Sequence, residues 1–242
     1  MSARSGDFTV RRLLSSLAFA LALTSAAHAN DLLEPALSFA PGIGAPRVAV
    51  TLDACMGGVD HRILDVLVRE HIPATLFVTA RWMSGNAETA AILAAHPDLF
   101  EIEDHGRNHV PAVIGSEKPY GITPAGTLAA VDDEVLGGGE AILAGFGRQP
   151  TWFRGATALY TPDAMDEINK LGYRVAGFSL NADFGASATA KVAQSRIEGA
   201  QDGDVIIAHI NQPSRPAGEG IAAGLLTLKQ NGYIFLRLDQ MP

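Results

Sequence analysis

From residue 47 onward, short apolar runs of β type alternate with segments of helical spacing, and that alternation leaves few folds open to the chain. Segments 47–52, 74–78, 100–102, 151–153, 174–180, 205–208 and 234–238 read as seven strands. Between them, 63–70, 87–95 capped by Asn86, 162–171, 188–200 and 221–230 read as helices. Thr123 and Pro124 open a further helical region that runs to 146 and is weakened at Gly137, Gly138 and Gly139. Strands separated by helices must run parallel, with right-handed crossovers, in an open doubly wound sheet or a closed barrel. Polar residues follow the strands one after another: Asp53, His105, Arg154, Asn181 with Asp183, and His209. A barrel brings all strand C-terminal ends to one mouth, so residues scattered along the chain can meet there. The expected class is therefore α/β, a (β/α)7 barrel over 47–242.

The segments before the barrel read differently. Arg11 and Arg12, an apolar run from Leu13 to Leu23, and Ala27-His28-Ala29 form the three parts of a secretory signal peptide over 1–29. The run is shorter than the ~20 residues a membrane span requires, so no stable membrane anchor is expected after cleavage. Removing 29 of 242 residues leaves 213 and takes away Arg4, Arg11, Arg12 and Asp7, moving the net charge from −8 to −10. A periplasmic or secreted location follows. Residues 30–46 hold Pro35, Pro41, Gly42 and Gly44 and read as a lead-in that wraps onto the barrel.

Charge and cysteine content narrow the chemistry. With 18 Lys and Arg against 26 Asp and Glu, the chain has no positive field for a polyphosphate backbone, so nucleic acid is not an expected partner. A single cysteine, Cys55, excludes an internal disulfide and a thiolate cluster. Any metal site must draw mainly on His and carboxylates. His105 and His109 are four residues apart, a spacing that lets two imidazoles face one divalent ion and that ordinary surface or core histidines also show. Asp104 beside them could be a ligand or an acceptor that orients a ring. Asp53 closes the apolar run from Val48 to Leu52, where a carboxylate is costly unless paired or at an exposed strand end; it fits a general base and equally a helix cap. Cys55 reads as a small packed residue or, in a Cys–His pair, a nucleophile. His61 could join a metal, Trp82 could stack on a sugar, and the polar stretch from Asn211 to Pro216 could face a substrate.

Taken in order, Thr51-Leu52-Asp53, His105-Gly-Arg-Asn-His109, Phe153-Arg154, Asp183 and Gly203-Asp-Val-Ile-Ile-Ala-His209 resemble the NodB-homology polysaccharide deacetylases, carbohydrate esterase family 4. The resemblance covers nearly all of the chain from Val48. It implies a distorted (β/α)7 barrel that uses a divalent metal, with zinc the first candidate, to remove N- or O-acetyl groups from a carbohydrate substrate. It assigns Asp53 as general base, Arg154 as the residue that orients it, His209 as general acid, and His105 and His109 as metal ligands. Thr157 stands where the family's backbone amide holds the oxyanion, and Ile207 where the acetyl methyl is lined. Asp183 is the expected partner of Arg154, with His209 its alternative partner. The first motif departs from the family's Thr-Phe-Asp-Asp: Ala54 stands where the metal aspartate belongs. Asp60 is the preferred replacement, with Asp53, Asp104 and Cys55 the others. Two further readings accompany this one, a glycan-binding barrel without catalysis and a hydrolase of another amide.

Overall fold

A computed structural model describes residues 1–2 and 32–242, so the signal-peptide segment lies outside the described residues. The elements follow in the order β1 (Arg47–Ala54), α1 (His61–Arg69), β2 (Ala74–Val78), α2 (Ala80–Gly85), α3 (Ala87–Ala95), β3 (Phe100–Asp104), α4 (Leu128–Phe146), β4 (Trp152–Phe153), α5 (Pro162–Lys170), β5 (Arg174–Val175), β6 (Leu180–Asn181), α6 (Ala190–Glu198), β7 (Asp204–His209), α7 (Ala217–Gln230) and β8 (Ile234–Leu236). Every strand pairing is parallel, in the spatial order β5-β4-β3-β2-β1-β7-β6. β8 joins β1 along Arg47–Ala49, below the stretch from Thr51 to Ala54 where β2 pairs. The sheet curls into a distorted barrel with helices outside.

Two faces of each strand make two different cores. Val48, Val50, Leu52 and Ala54 pack with α1 and α7 residues such as Ile63, Leu67, Ile221 and Leu225. The alternate residue Ala49 packs inside the barrel with Phe77, Trp152 and Val205. α1 shows how the outer layer is held: Ile63, Leu64, Val66 and Leu67 are buried on one face, each stabilising the fold by about 1.5–3 kcal/mol when fully buried. None of the described helices is long and apolar enough to cross a membrane.

The expected fifth strand, 174–180, is two strands with different partners. β5 pairs with β4 and β6 with β7, while Ala176 to Ser179 crosses between them. The lead-in occupies this gap. Leu33 forms an antiparallel bridge with Tyr160, Phe178 N donates to Pro35 O at 3.3 Å, Leu37 N donates to Phe178 O at 3.3 Å, and Phe39 N donates to Gly203 O at 2.9 Å. A Cβ on Gly177 would stand 2.0 Å from Pro35 O, so only glycine lets the lead-in approach here. The barrel is therefore closed partly by side-on backbone bonds from a segment outside it.

The long helix also differs from expectation. It starts at Leu128, where Thr127 Oγ1 accepts from Ala130 N, and residues 123–126 are loop. The three glycines do not break it; Gly137 and Gly138 let it lie against the end of β3 and the chain that follows, and Gly139 lets it lie against Tyr173. A Cβ on Gly138 would fall 2.0 Å from Asp104 Oδ1 and 2.8 Å from the Gly106 carbonyl carbon.

Candidate active site

The strand ends meet at a cavity of about 650 Å³ lined in part by Asp53, Cys55, His105, His109, Thr157 and His209. Asp53 sits at the end of β1 and is buried. Its Oδ1 accepts from Arg154 Nη1 at 2.9 Å. Arg154, wholly buried, also donates to Thr51 Oγ1 at 2.8 Å and to Gly177 O at 2.9 Å, and its guanidinium lies 4.2 Å from the centre of the Phe77 ring. The carbonyl exposed by the β5–β6 crossing thus anchors the arginine that holds Asp53. Burial pushes the Asp53 carboxyl up, but Arg154, His105 and His209 outweigh it and hold the carboxyl below its ordinary value.

His105 follows β3 and is fixed by its far nitrogen. Nδ1 lies 2.5 Å from Arg154 O, and a carbonyl only accepts, so Nδ1 carries the proton. Nε2 is left for the cavity, 3.4 Å from Cys55 Sγ and 4.0 Å from Asp53 Oδ2. Burial would lower its pKa, yet Asp53 and Cys55 raise it to about 9. The His109 ring centre lies 5.0 Å from that of His105. Cys55, His105 and His109 each turn one donor atom inward, and these atoms lie within 4.8 Å of one another. One thiolate and two imidazoles at that separation are a donor set that fits a divalent cation such as zinc.

Asp60 does not join them, which corrects the ligand expected from the sequence. It caps α1, accepting from Arg62 N at 3.1 Å, and both carboxylate oxygens are paired with the Arg62 side chain at 2.8 and 2.5 Å. Its position just before the helix made the cap the competing reading, and the cap prevails. Asp104 points away from the cavity: its Oδ1 accepts from Gly106 N at 2.8 Å against α4. His61 is exposed near Asp65, and Trp82 is a buried pillar whose Nε1 donates to Gly58 O at 3.1 Å.

Asp183 is likewise reassigned. It pairs with His209, accepting from His209 N at 2.7 Å and from Nδ1 at 3.0 Å, and Arg154 takes Asp53 instead. Burial would lower the His209 pKa, but the bond to Asp183, together with contact with Cys55, raises it well above the ordinary imidazole value. Its Nε2 is free of Asp183 and available to the cavity. Ile207, two residues earlier on β7, lines the same wall. Thr157, in a turn with φ 73°, also lines the cavity. Five of the seven positive-φ non-glycine residues among those described, His109, Tyr120, Thr157, Ala158 and Phe184, line this one cavity. Strained backbone concentrated there marks a wall shaped for something other than stability.

Several positioning residues carry no obvious sign in the sequence. Glu134, buried on α4, accepts from Asn108 N and Val110 N at 2.9 Å each, pinning the loop that carries His109. Its position on the apolar stripe with Val131 and Val135 was the available signal. Thr79 Oγ1 donates to Cys55 O at 2.6 Å, and Asn211 Nδ2 donates to Met56 O, fixing the turn after β1.

The family model for polysaccharide deacetylases matches residues 42–176. No curated protein matches the chain. Among solved structures, a family 4 acetyl xylan esterase of Clostridium thermocellum in complex with a cobalt ion is 25% identical, with 80% of this chain and 89% of that one covered and a TM-score of 0.63. A family 4 carbohydrate esterase of Bacillus subtilis is 20% identical over 85% of this chain and 84% of its own, with a TM-score of 0.64. A family 4 pseudoenzyme of Bacillus anthracis is 16% identical over 87% and 70%, with a TM-score of 0.65.

Proposed function

The chain belongs to the polysaccharide deacetylase family, and from that premise we propose that it is an exported, metal-dependent hydrolase that removes acetyl groups from a carbohydrate. The observation that carries this reading is the meeting of a base, an acid and a three-donor cluster in one cavity: Asp53, His209, and Cys55 with His105 and His109. A binding module has no use for a carboxylate held ionised by a buried arginine next to an imidazole held cationic by a buried aspartate.

A bound divalent cation supplies Lewis acidity toward the acetyl carbonyl and the attacking water. Asp53 Oδ2, which Arg154 leaves unpaired, takes the water's proton. The Thr157 backbone N–H is the donor we assign to the oxyanion. Protonated His209, steadied by Asp183, gives a proton through Nε2 to the departing amine or alcohol oxygen. Ile207 accommodates the acetyl methyl.

Acetate release from N-acetylglucosamine oligomers and from O-acetylated xylan tests the reading. The expected result is release that chelation abolishes and zinc restores, and that Asp53→Asn lowers about 10²–10⁴-fold. Wild type that binds zinc yet releases acetate from neither class would sink it in favour of a glycan-binding barrel.

A further inference from the structure

We infer that Cys55 is the third protein ligand of the metal, so that the centre is a thiolate–imidazole site selective for thiophilic cations. This rests on the metal-dependent reading above and adds to it the identity of a ligand and the metals it accepts.

Ala54 cannot take the role: its methyl carries no donor atom, and it is fully buried in the outer core beside Val78 of β2. The next side chain to face the cavity is Cys55. Its sulfur lies 3.4 Å from His105 Nε2, and the donor atoms of Cys55, His105 and His109 fall within 4.8 Å of one another, which no carboxylate among the described residues does with the two imidazoles.

The backbone that presents this thiol is tied down on both sides. Thr79 holds the Cys55 carbonyl, Asn211 the Met56 carbonyl, and Asn86 Nδ2 the Gly57 carbonyl at 2.9 Å, while Asp60 N donates to Ile210 O at 2.7 Å. His105 is fixed by the Arg154 carbonyl, with its tautomer chosen by that bond. Such outer contacts preorganise ligands rather than ordinary core residues. A small cysteine merely filling space would not require a turn bonded at four points between residues 55 and 60 or a sulfur directed at two imidazoles. A thiolate carries the same single negative charge as a carboxylate but is softer, which favours zinc and cobalt over manganese and magnesium.

Purified full chain, stripped with a chelator, is titrated with Co2+. The expected signature is one bound ion with a near-ultraviolet thiolate-to-cobalt band, absent in Cys55→Asp. X-ray absorption of the zinc form should show a sulfur neighbour at about 2.3 Å. The preference for Zn2+ over Mn2+ should narrow by at least about 10-fold in Cys55→Asp. Cobalt bound stoichiometrically without the charge-transfer band, or zinc with only nitrogen and oxygen neighbours, overturns the inference while leaving the metal-dependent hydrolase intact. Wild type that binds neither Zn2+ nor Co2+ overturns both. The wild-type spectra decide the matter even where the variant fails to fold.

Discussion

The interior of one barrel holds two sets of buried charge, and they are treated in opposite ways. At the mouth, Asp53 has Arg154, and His209 has Asp183. Toward the base, Glu101 and Glu103 are buried on β3, alternating with the outer-core residues Phe100 and Ile102, and neither forms an ion pair among the described residues. Glu101 Oε2 accepts from Thr75 Oγ1 at 2.6 Å, and Glu103 Oε2 accepts from Thr151 N and Trp152 N at 2.7 Å each. The second oxygen of each has no partner. Burial and the neighbouring Glu101 push the Glu103 carboxyl up to about 8, against the two backbone bonds that favour its anion. The mouth keeps its groups ionised by pairing them, which a reaction needs. The base holds a carboxyl as a neutral hydrogen-bonding staple between strands, which the fold needs.

The largest way to break the contrast is Arg154→Met. It would leave Asp53 buried without its cation, and the loss should be about 3–5 kcal/mol in urea unfolding. Arg154→Met with Asp53→Asn should recover a substantial part of that. If the double variant is no more stable than the single one, the pair is not what holds the mouth together. Asp183→Asn comes next. An asparagine side chain offers N–H toward His209 Nδ1 where the aspartate offered only acceptors, so the cationic imidazole loses its support. The deacetylation rate should fall about 10²-fold, and its alkaline limb should move to lower pH, read from kcat against pH. An unmoved limb would show that His209 does not set it.

Glu134→Ala tests whether the mouth depends on its outer support as well as on its pairs. Two backbone N–H groups would lose their acceptor, at a cost of about 2 kcal/mol. Zinc affinity should drop about 10–100-fold through the loosened His109 loop. Glu134→Gln keeps an acceptor oxygen and should restore most of both. Equal losses in the two variants would point to general damage to α4.

The same contrast explains how much could be read from the sequence. β1 and β2 were legible because continuous apolar runs buried on both faces leave no other element for them. The 174–180 run was not, since its β-type residues continue on both sides of Gly177 and the change of partner lies in the lead-in's approach to that glycine. His105 and His109, Asp53 and His209 are carried by local motifs at strand ends. The pairings are not: whether Arg154 takes Asp53 or Asp183 depends on the cross-barrel reach of one guanidinium, about 100 residues away in sequence from Asp53. Asp60 misled because a capping aspartate and a ligand aspartate look alike in a loop. Only the Arg62 fork separates them.

The remaining effect has the opposite sign and belongs to the base. Glu103 titrates near its ordinary value of 4.5 in the unfolded chain and at about 8 in the folded one. Below about 4.5 both forms are protonated and the group costs nothing. As pH rises from there to about 8, the unfolded chain ionises while the folded one keeps its proton, so stability declines, and above about 8 the decline ends. Glu103→Gln keeps an oxygen for Thr151 N and Trp152 N and turns an amide N–H toward the free oxygen of Glu101. It should flatten that decline and leave the protein more stable than wild type at pH 8, with little difference at pH 4.5. Urea unfolding of the two proteins across this range measures it. A variant that is destabilised equally at both pH values would mean that Glu103 is ionised in the folded barrel, and that the base is charged like the mouth after all.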